Sequence, residues 1–374
     1  MSGKLKIILT TTFTLVEQFQ STLSSPQNTS TTPEQRKGLD ALPLLSAAAT
    51  ALKSHVTKLS LLTITSPFTP SAVATTVSTL NESVLPSLVT AALLVTPESH
   101  TAAFQNEIRI LTCTGLKELF MLVKEVQTVA EDKAEKKSLE QSEKDAVTLA
   151  AGRVWEACDV LIEVAAKGVV GFVVRRAEEY RDLVKDAVEE IEGWDPDEEG
   201  DEFFDELLDD DDGKEIAHIG KDEGSEDDDD EEGKSNAALH EQKKDALRIL
   251  KPIAQIYPAI ISNRLKKTPS PLTPPDARTL EALMKNLQQI PEHIDEVAGA
   301  LYEADRNNYT RQLRRTKGCA SRAIDLVLFP WGMNQASEGQ GSIGDIEDKF
   351  TNWSKTWAKV MGEVAKSIDE PKSD

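Results

Sequence analysis

Residues 195–232 read DPDEEGDEFFDELLDDDDGKEIAHIGKDEGSEDDDDEE, with 22 Asp or Glu against two Lys and a net charge of −20 in 38 residues. The whole chain of 374 residues sums to −22, so everything outside this stretch nets only −2. The acidity belongs to one segment and not to the surface at large. That many like charges cannot be buried or paired cheaply, and self-repulsion extends the chain. Residues 195–235 are therefore expected to form a disordered acidic linker. The flanks on both sides are patterned for helix, which predicts an all-α fold of two helical bundles joined by an acidic tether.

Upstream, residues 1–194 read as an N-terminal helical bundle. Leu5, Ile8, Thr12, Leu15, Phe19 and Leu23 share one helical face, and Glu17 interrupts the apolar run that a signal peptide needs. Thr32-Pro33-Glu34-Gln35 has the form of a capping box with proline at the first helical position, predicting a helix to about Thr65. Ser66-Pro67-Phe68-Thr69-Pro70 breaks it. The next helix, from about Ser71 to Val95, meets Pro86, which kinks or divides it. Thr96-Pro97-Glu98-Ser99 starts another, to about Val129, with Ile108, Leu111, Leu119, Leu122, Val123 and Val126 at helical spacing. A further helix covers 147–164. Gly168 and Gly171 then loosen the chain before 173–191, where Ala177, Tyr180, Val184, Ala187 and Ile191 form an apolar stripe. Five or six helices on short connections suit an up-and-down bundle.

Downstream, residues 236–330 read as a C-terminal helical bundle. Leu239, Ala246, Leu250, Ile253, Ile256 and Ile260 support a helix despite Pro252 and Pro258. Residues 268–275 hold four prolines and form a loop, after which Asp276 is expected to cap a helix. In that helix Leu280, Leu283, Leu287, Ile290, Ile294, Val297 and Leu301 keep a heptad pattern, with Pro291 in its middle predicting a kink or break. The proline favours the core stripe of an intramolecular bundle over a self-assembling zipper. Residues 305–328 give a helix with a basic outer side, stopped by Phe329-Pro330-Trp331-Gly332. After a flexible tether at 331–344, residues 345–369 form an amphipathic helix with Ile346, Phe350, Trp353, Trp357, Val360, Val364 and Ile368 on one stripe. This stripe either docks on its own bundle, which the slack of the tether favours, or seizes a partner as a helix in a groove. The second reading makes Trp353, Trp357 and Phe350 candidate partner-binding residues.

Composition narrows the function. A pI near 4.7 opposes direct nucleic-acid binding, which needs clustered cations. Cys113, Cys158 and Cys319 are odd in number and widely spread, as expected of reduced thiols. The five histidines show no metal-ligand spacing, so no metal site is expected. No long uncharged apolar run appears, and the best stretch, 159–174, carries Glu163 and Lys167, so no membrane span is expected. Phosphate-binding loops and metalloprotease or hydrolase signatures are missing. Cys158 reads as core packing. Glu118, Glu125 and Glu131 read as a solvated face, since the Glu-x-x-His partner motif of di-iron bundles is missing. No catalytic or cofactor-binding residue is assigned, no cofactor is expected, and the chain reads as a non-enzymatic protein-binding regulator. Arg306, Arg311, Arg314, Arg315, Lys317 and Arg322 form the dense basic patch, either a solvated helix face or a counterpart for the acidic segment. Ser225, ahead of Glu226, is a candidate phosphorylation site for an acidophilic kinase. Thr268, Ser270 and Thr273, each before a proline, are candidates for proline-directed kinases.

Two motifs carry a family likeness. Val154-Trp155-Glu156-Ala157-Cys158 is similar to a V-W-x-A-C element. Val184-Lys185-Asp186-Ala187-Val188-Glu189-Glu190, followed by the acidic stretch, is similar to a V-K-D-A-x-E-E helix preceding an acidic break. Both occur in this order in the GCIP (cyclin-D-binding protein) family, which the chain resembles over roughly residues 40–325. The resemblance implies a vinculin-like N-terminal bundle. It also implies a regulator that binds cell-cycle or transcription factors, with cyclin or helix-loop-helix type partners, in nucleus and cytoplasm. A cytoskeletal or membrane-associated scaffold of the vinculin-like type is the alternative. Cyclin-docking R-x-L strings begin at Arg109, Arg181, Arg248, Arg278 and Arg311, mostly inside helices, where so short a string arises by chance.

Overall fold

The computed structural model describes residues 2–25, 40–132, 139–197, 228–269, 271–331 and 348–369. Among the described residues the regular elements are all helical, and no strand occurs. The chain divides into two compact units: Met1–Phe172 with Ser270–Glu281, and Val173–Pro269 with Ala282–Asp374. The first crossing thus falls within a helix and not at the acidic segment. Gly168 adopts φ 62°, ψ −167° inside the segment Gln141–Gly193 (α7) and breaks it into two helices. Only glycine takes that conformation without a Cβ penalty.

In the first unit, α1 (Gly3–Ser24) packs on α3 (Pro70–Thr79) and α6 (Ala102–Asp132), while α2 (Ala41–Ile64) packs on α3 and α4 (Leu85–Leu94). The buried stripe of α1 is Leu5, Leu9, Thr12, Val16 and Leu23, so Ile8, Leu15 and Phe19 sit to one side of the face expected for them. The capping box at 32–35 lies outside the described residues. The described helix begins at Ala41, where the Asp40 carboxylate accepts from the Leu42 N–H at 3.3 Å. Pro86 neither stops nor divides its helix. The backbone widens into a π turn, Leu80–Val84, just before the proline, and the helical run continues from Pro70 to Leu94. Such a turn absorbs the missing N–H and the bulk of the ring. By length and composition Pro70–Leu94 is apolar enough to cross a membrane. Yet Val73, Val77, Leu80, Leu85 and Leu88 are consumed in the core of this bundle.

The helix expected from Thr96 is two elements. A short turn, α5 (Pro97–His100), ends at Thr101 with φ 79°, and α6 starts afresh at Ala102. Its orphan N–H groups find partners: Thr101 Oγ1 accepts from Phe104 N at 3.2 Å, and Glu281 Oε2 from Ala102 N at 2.7 Å and Ala103 N at 3.3 Å. Phe104 then meets Phe172 edge to face at 5.5 Å.

The second unit holds the end of α7, α8 (Asp228–Ala254), α9 (Ile256–Asn263), most of α10 (Pro274–Tyr302), α11 (Arg306–Leu326) and α12 (Lys349–Asp369). Residues 198–227 of the acidic segment lie outside the described residues. Its last part, 228–235, is helical. Acidic residues suit the amino end of a helix, where the macrodipole favours negative charge. Thr273, not Asp276, is the N-cap of α10. Its hydroxyl accepts from Asp276 N at 3.4 Å, and Asp276 Oδ2 accepts from Thr273 N at 3.3 Å and its hydroxyl at 2.5 Å, a reciprocal box. The heptad positions from Leu280 to Leu301 are all buried, as a core stripe requires. The helix runs unbroken through Pro291. Proline there leaves the Leu287 carbonyl without its helical donor, and the Tyr257 hydroxyl supplies one at 2.8 Å.

Candidate functional site

The C-terminal helix is docked within the second unit, on α8, α9 and α11. Phe350 and Trp357 are 1% and 6% exposed, Trp353 is partly covered, and the Trp357 indole donates to the Pro252 carbonyl at 2.9 Å. Of these candidate partner-binding residues, Phe350 and Trp357 are buried inside the protein and Trp353 keeps part of its surface exposed. The buried stripe runs through Phe350, Ser354, Trp357, Met361 and Ala365. Val360, expected on it, is 41% exposed. Ile346 lies outside the described residues.

One arginine, which the sequence reading passed over, fixes the start of that helix. Arg264 is 2% exposed and all five of its N–H groups are matched. Nε donates to Val327 O at 2.6 Å, Nη1 to Asn263 O at 3.2 Å and Asp348 Oδ2 at 2.6 Å, and Nη2 to Leu328 O at 2.8 Å and Asp348 Oδ1 at 3.0 Å. The Phe350 ring stacks 4.4 Å from its guanidinium carbon. Asp348 also caps α12 by accepting from Thr351 N at 2.9 Å. These Arg264 hydrogen bonds hold its carboxyl well below the usual carboxylate range, against the opposing effect of burial. The signal for Arg264 was its place one turn beyond Ile260 on the apolar face of α9, where charge needs a partner.

Three arginines of the basic patch line an open groove of about 510 Å³ between α10 and α11. Arg314, Arg315 and Arg322 face it from α11, Gln289 and His293 from α10. Tyr309 is buried with its hydroxyl on Gln242 O at 2.9 Å, so it offers no stacking platform. In the first unit a second groove, about 590 Å³, runs between α2 and α4. Ala47, Ala51, Val84, Ala91 and Leu94 line it and Leu44 is exposed at its edge.

The remaining candidates do less. Cys158 is fully buried, and burial pushes its thiol up to about 12, which suits packing and opposes a reactive thiolate. Asp195, Asp197 and His240 bring three possible metal-ligand atoms within 4.8 Å, all exposed. Two contacts account for the meeting: His240 Nε2 to Asp197 Oδ2 at 2.9 Å, and Asp197 N donating to Asp195 Oδ1 at 3.1 Å. Sequence spacing could not show it, because the partners are brought together by the return of the chain into α8. Thr268 donates to Arg264 O at 3.3 Å and Thr273 is spent on its cap, while Ser225 and Ser270 lie outside the described residues.

Residues 44–197 match the family model described as Grap2 and cyclin-D-interacting, N-terminal. Over these residues the chain matches the GCIP family. The GCIP domain so defined contains both motifs that carried the likeness, and it begins inside α2 and ends at the threshold of the acidic segment. The α2–α4 groove lies entirely within it. No curated protein matches the chain.

Proposed function

We propose that this protein is a non-enzymatic regulator that works by binding other proteins through its GCIP domain, with cell-cycle or transcription factors of the cyclin or helix-loop-helix type as partners. The observation that carries the reading is the family match over 44–197, whose description is of interaction with Grap2 and cyclin D. The α2–α4 groove supports it: an apolar lining with an exposed Leu44 is what the apolar face of a partner helix would fill. With that role we propose action in nucleus and cytoplasm. Purified full-length chain is expected to retain cyclin D or Grap2 on a column, and Leu44→Asp with Ala47→Trp is expected to abolish retention without lowering the melting temperature. Failure of the unmodified chain to hold either protein would count against this partner class. Retention unaffected by the two substitutions would keep the class and reject the groove.

A further inference from the structure

We propose that the groove between α10 and α11 binds a phosphorylated peptide segment of a partner protein. It lies beyond residues 44–197 and does not depend on how the GCIP domain chooses its partners. The case begins with uncompensated charge. Of the cations that line the groove, Arg315 and Arg322 make no ion pair with a carboxylate among the described residues, nor do Arg311 and Lys317 elsewhere on the same helix. Arg311 and Arg315 touch only neighbouring amides, Asn308 Oδ1 at 2.6 Å and Gln312 Oε1 at 3.5 Å. Cations of one sign around a concave surface repel one another until an anion enters. Glu292 and Glu296 act on the His293 imidazole, and Glu292 already accepts from Gln288 at 3.2 Å.

The second observation is that one of these forks is held in place. Arg322 Nε donates to Asn286 Oδ1 at 3.0 Å and Nη2 to Cys319 Sγ at 3.0 Å. It lies across Gly318, where an added Cβ would come within 3.2 Å of Nη1. An arginine anchored through Nε and one Nη keeps N–H groups for a ligand while losing little freedom when it binds. The His293 imidazole is pushed below its ordinary value, by burial first and then by Arg315, with Arg322 adding to it and Glu292 and Glu296 opposing. The groove is thus a positive field around a fixed fork.

A phosphoryl dianion carries three acceptor oxygens and nearly twice the charge of a carboxylate, so it can engage two guanidinium forks at once where a single carboxylate satisfies one. Nucleic acid fits less well. No Tyr, Phe or Trp lines the groove as a stacking platform for bases.

The test uses the full chain and a labelled peptide bearing one phosphoserine between glutamates, read by fluorescence anisotropy at physiological salt. The phosphopeptide is expected to bind, and its unphosphorylated twin to bind about tenfold more weakly or worse. Arg315→Gln and Arg322→Gln should each weaken binding about tenfold with unchanged melting temperatures, since both side chains are exposed. Arg322→Lys should recover it only in part, because an ammonium keeps the charge and loses the fork. Arg248→Gln, on α8, should change nothing. Equal affinity for the two peptides, full affinity in the glutamine variants, or tighter binding of a single-stranded RNA of equal charge would each overturn the proposal.

Discussion

At the scale of residues, Arg264 decides more than any other single side chain. Its five N–H groups tie α9 to the end of α11 and to the first residue before α12. A buried charge matched so fully is costly to unmatch, because removing one partner leaves the other desolvated. Arg264→Ala is therefore expected to lose about 3–5 kcal/mol of stability in urea denaturation, and Arg264→Lys somewhat less, since an ammonium cannot span the same acceptors. The pH dependence has a definite sign. Asp348 has its carboxyl depressed by Arg264, so its contribution is whole above the ordinary carboxylate value, about pH 4, and is lost as pH falls below that. In Arg264→Ala the acid limb of the stability curve should flatten. An acid limb as steep as the unmodified protein's would show that Asp348 is not held by Arg264.

At the scale of elements, prolines and helix ends show how local rules are bent. Pro86 sits just past a π turn and Pro291 inside an unbroken helix because a neighbour or a widened turn takes up what each proline removes. The C-terminal helix follows the same logic in its packing. Phe350 and Trp357 are buried while Val360 is exposed, so the stripe read from spacing is rotated toward Met361. Trp357→Ala should cost the second unit about 3–5 kcal/mol, and Val360→Asp within about 0.5 kcal/mol of nothing. Two-step unfolding followed by near-ultraviolet dichroism would separate the units. Loss of the first unit's transition in Trp357→Ala would contradict the assignment of this helix to the second unit.

At the scale of the whole molecule, the acidic segment does not separate the units. Trp194, just before it, meets Tyr302 at 5.0 Å and its carbonyl accepts from Lys243, while Glu192 pairs with Lys251 at 2.6 Å. The helix before the segment thus belongs to the same unit as the helices after it, and residues 270–281 return to the first unit. An acid-specific protease cutting within 198–227 is expected to leave two fragments that co-elute on size exclusion and share the second unit's unfolding transition. Fragments that parted and kept their own cooperative transitions would restore the simple two-lobe division at the acidic segment.

The sequence by itself determined the all-α class, the buried heptad of α10, the packing role of Cys158 and the family motifs, because helical periodicity and short motifs are carried by residues near one another in the chain. It marked Gly168 as a weak point, and there the helix breaks. Only the tertiary structure decided where the units divide, that Glu281 caps α6, that Tyr257 rescues the proline helix and that Arg264 latches α12. Each of these joins residues distant in sequence, and the energy of such a contact depends on burial and geometry that no local pattern encodes. The α10–α11 groove belongs with them. Its arginines were legible as a cluster, but the concavity and the anchoring of Arg322 by Asn286 exist only once the two helices pack.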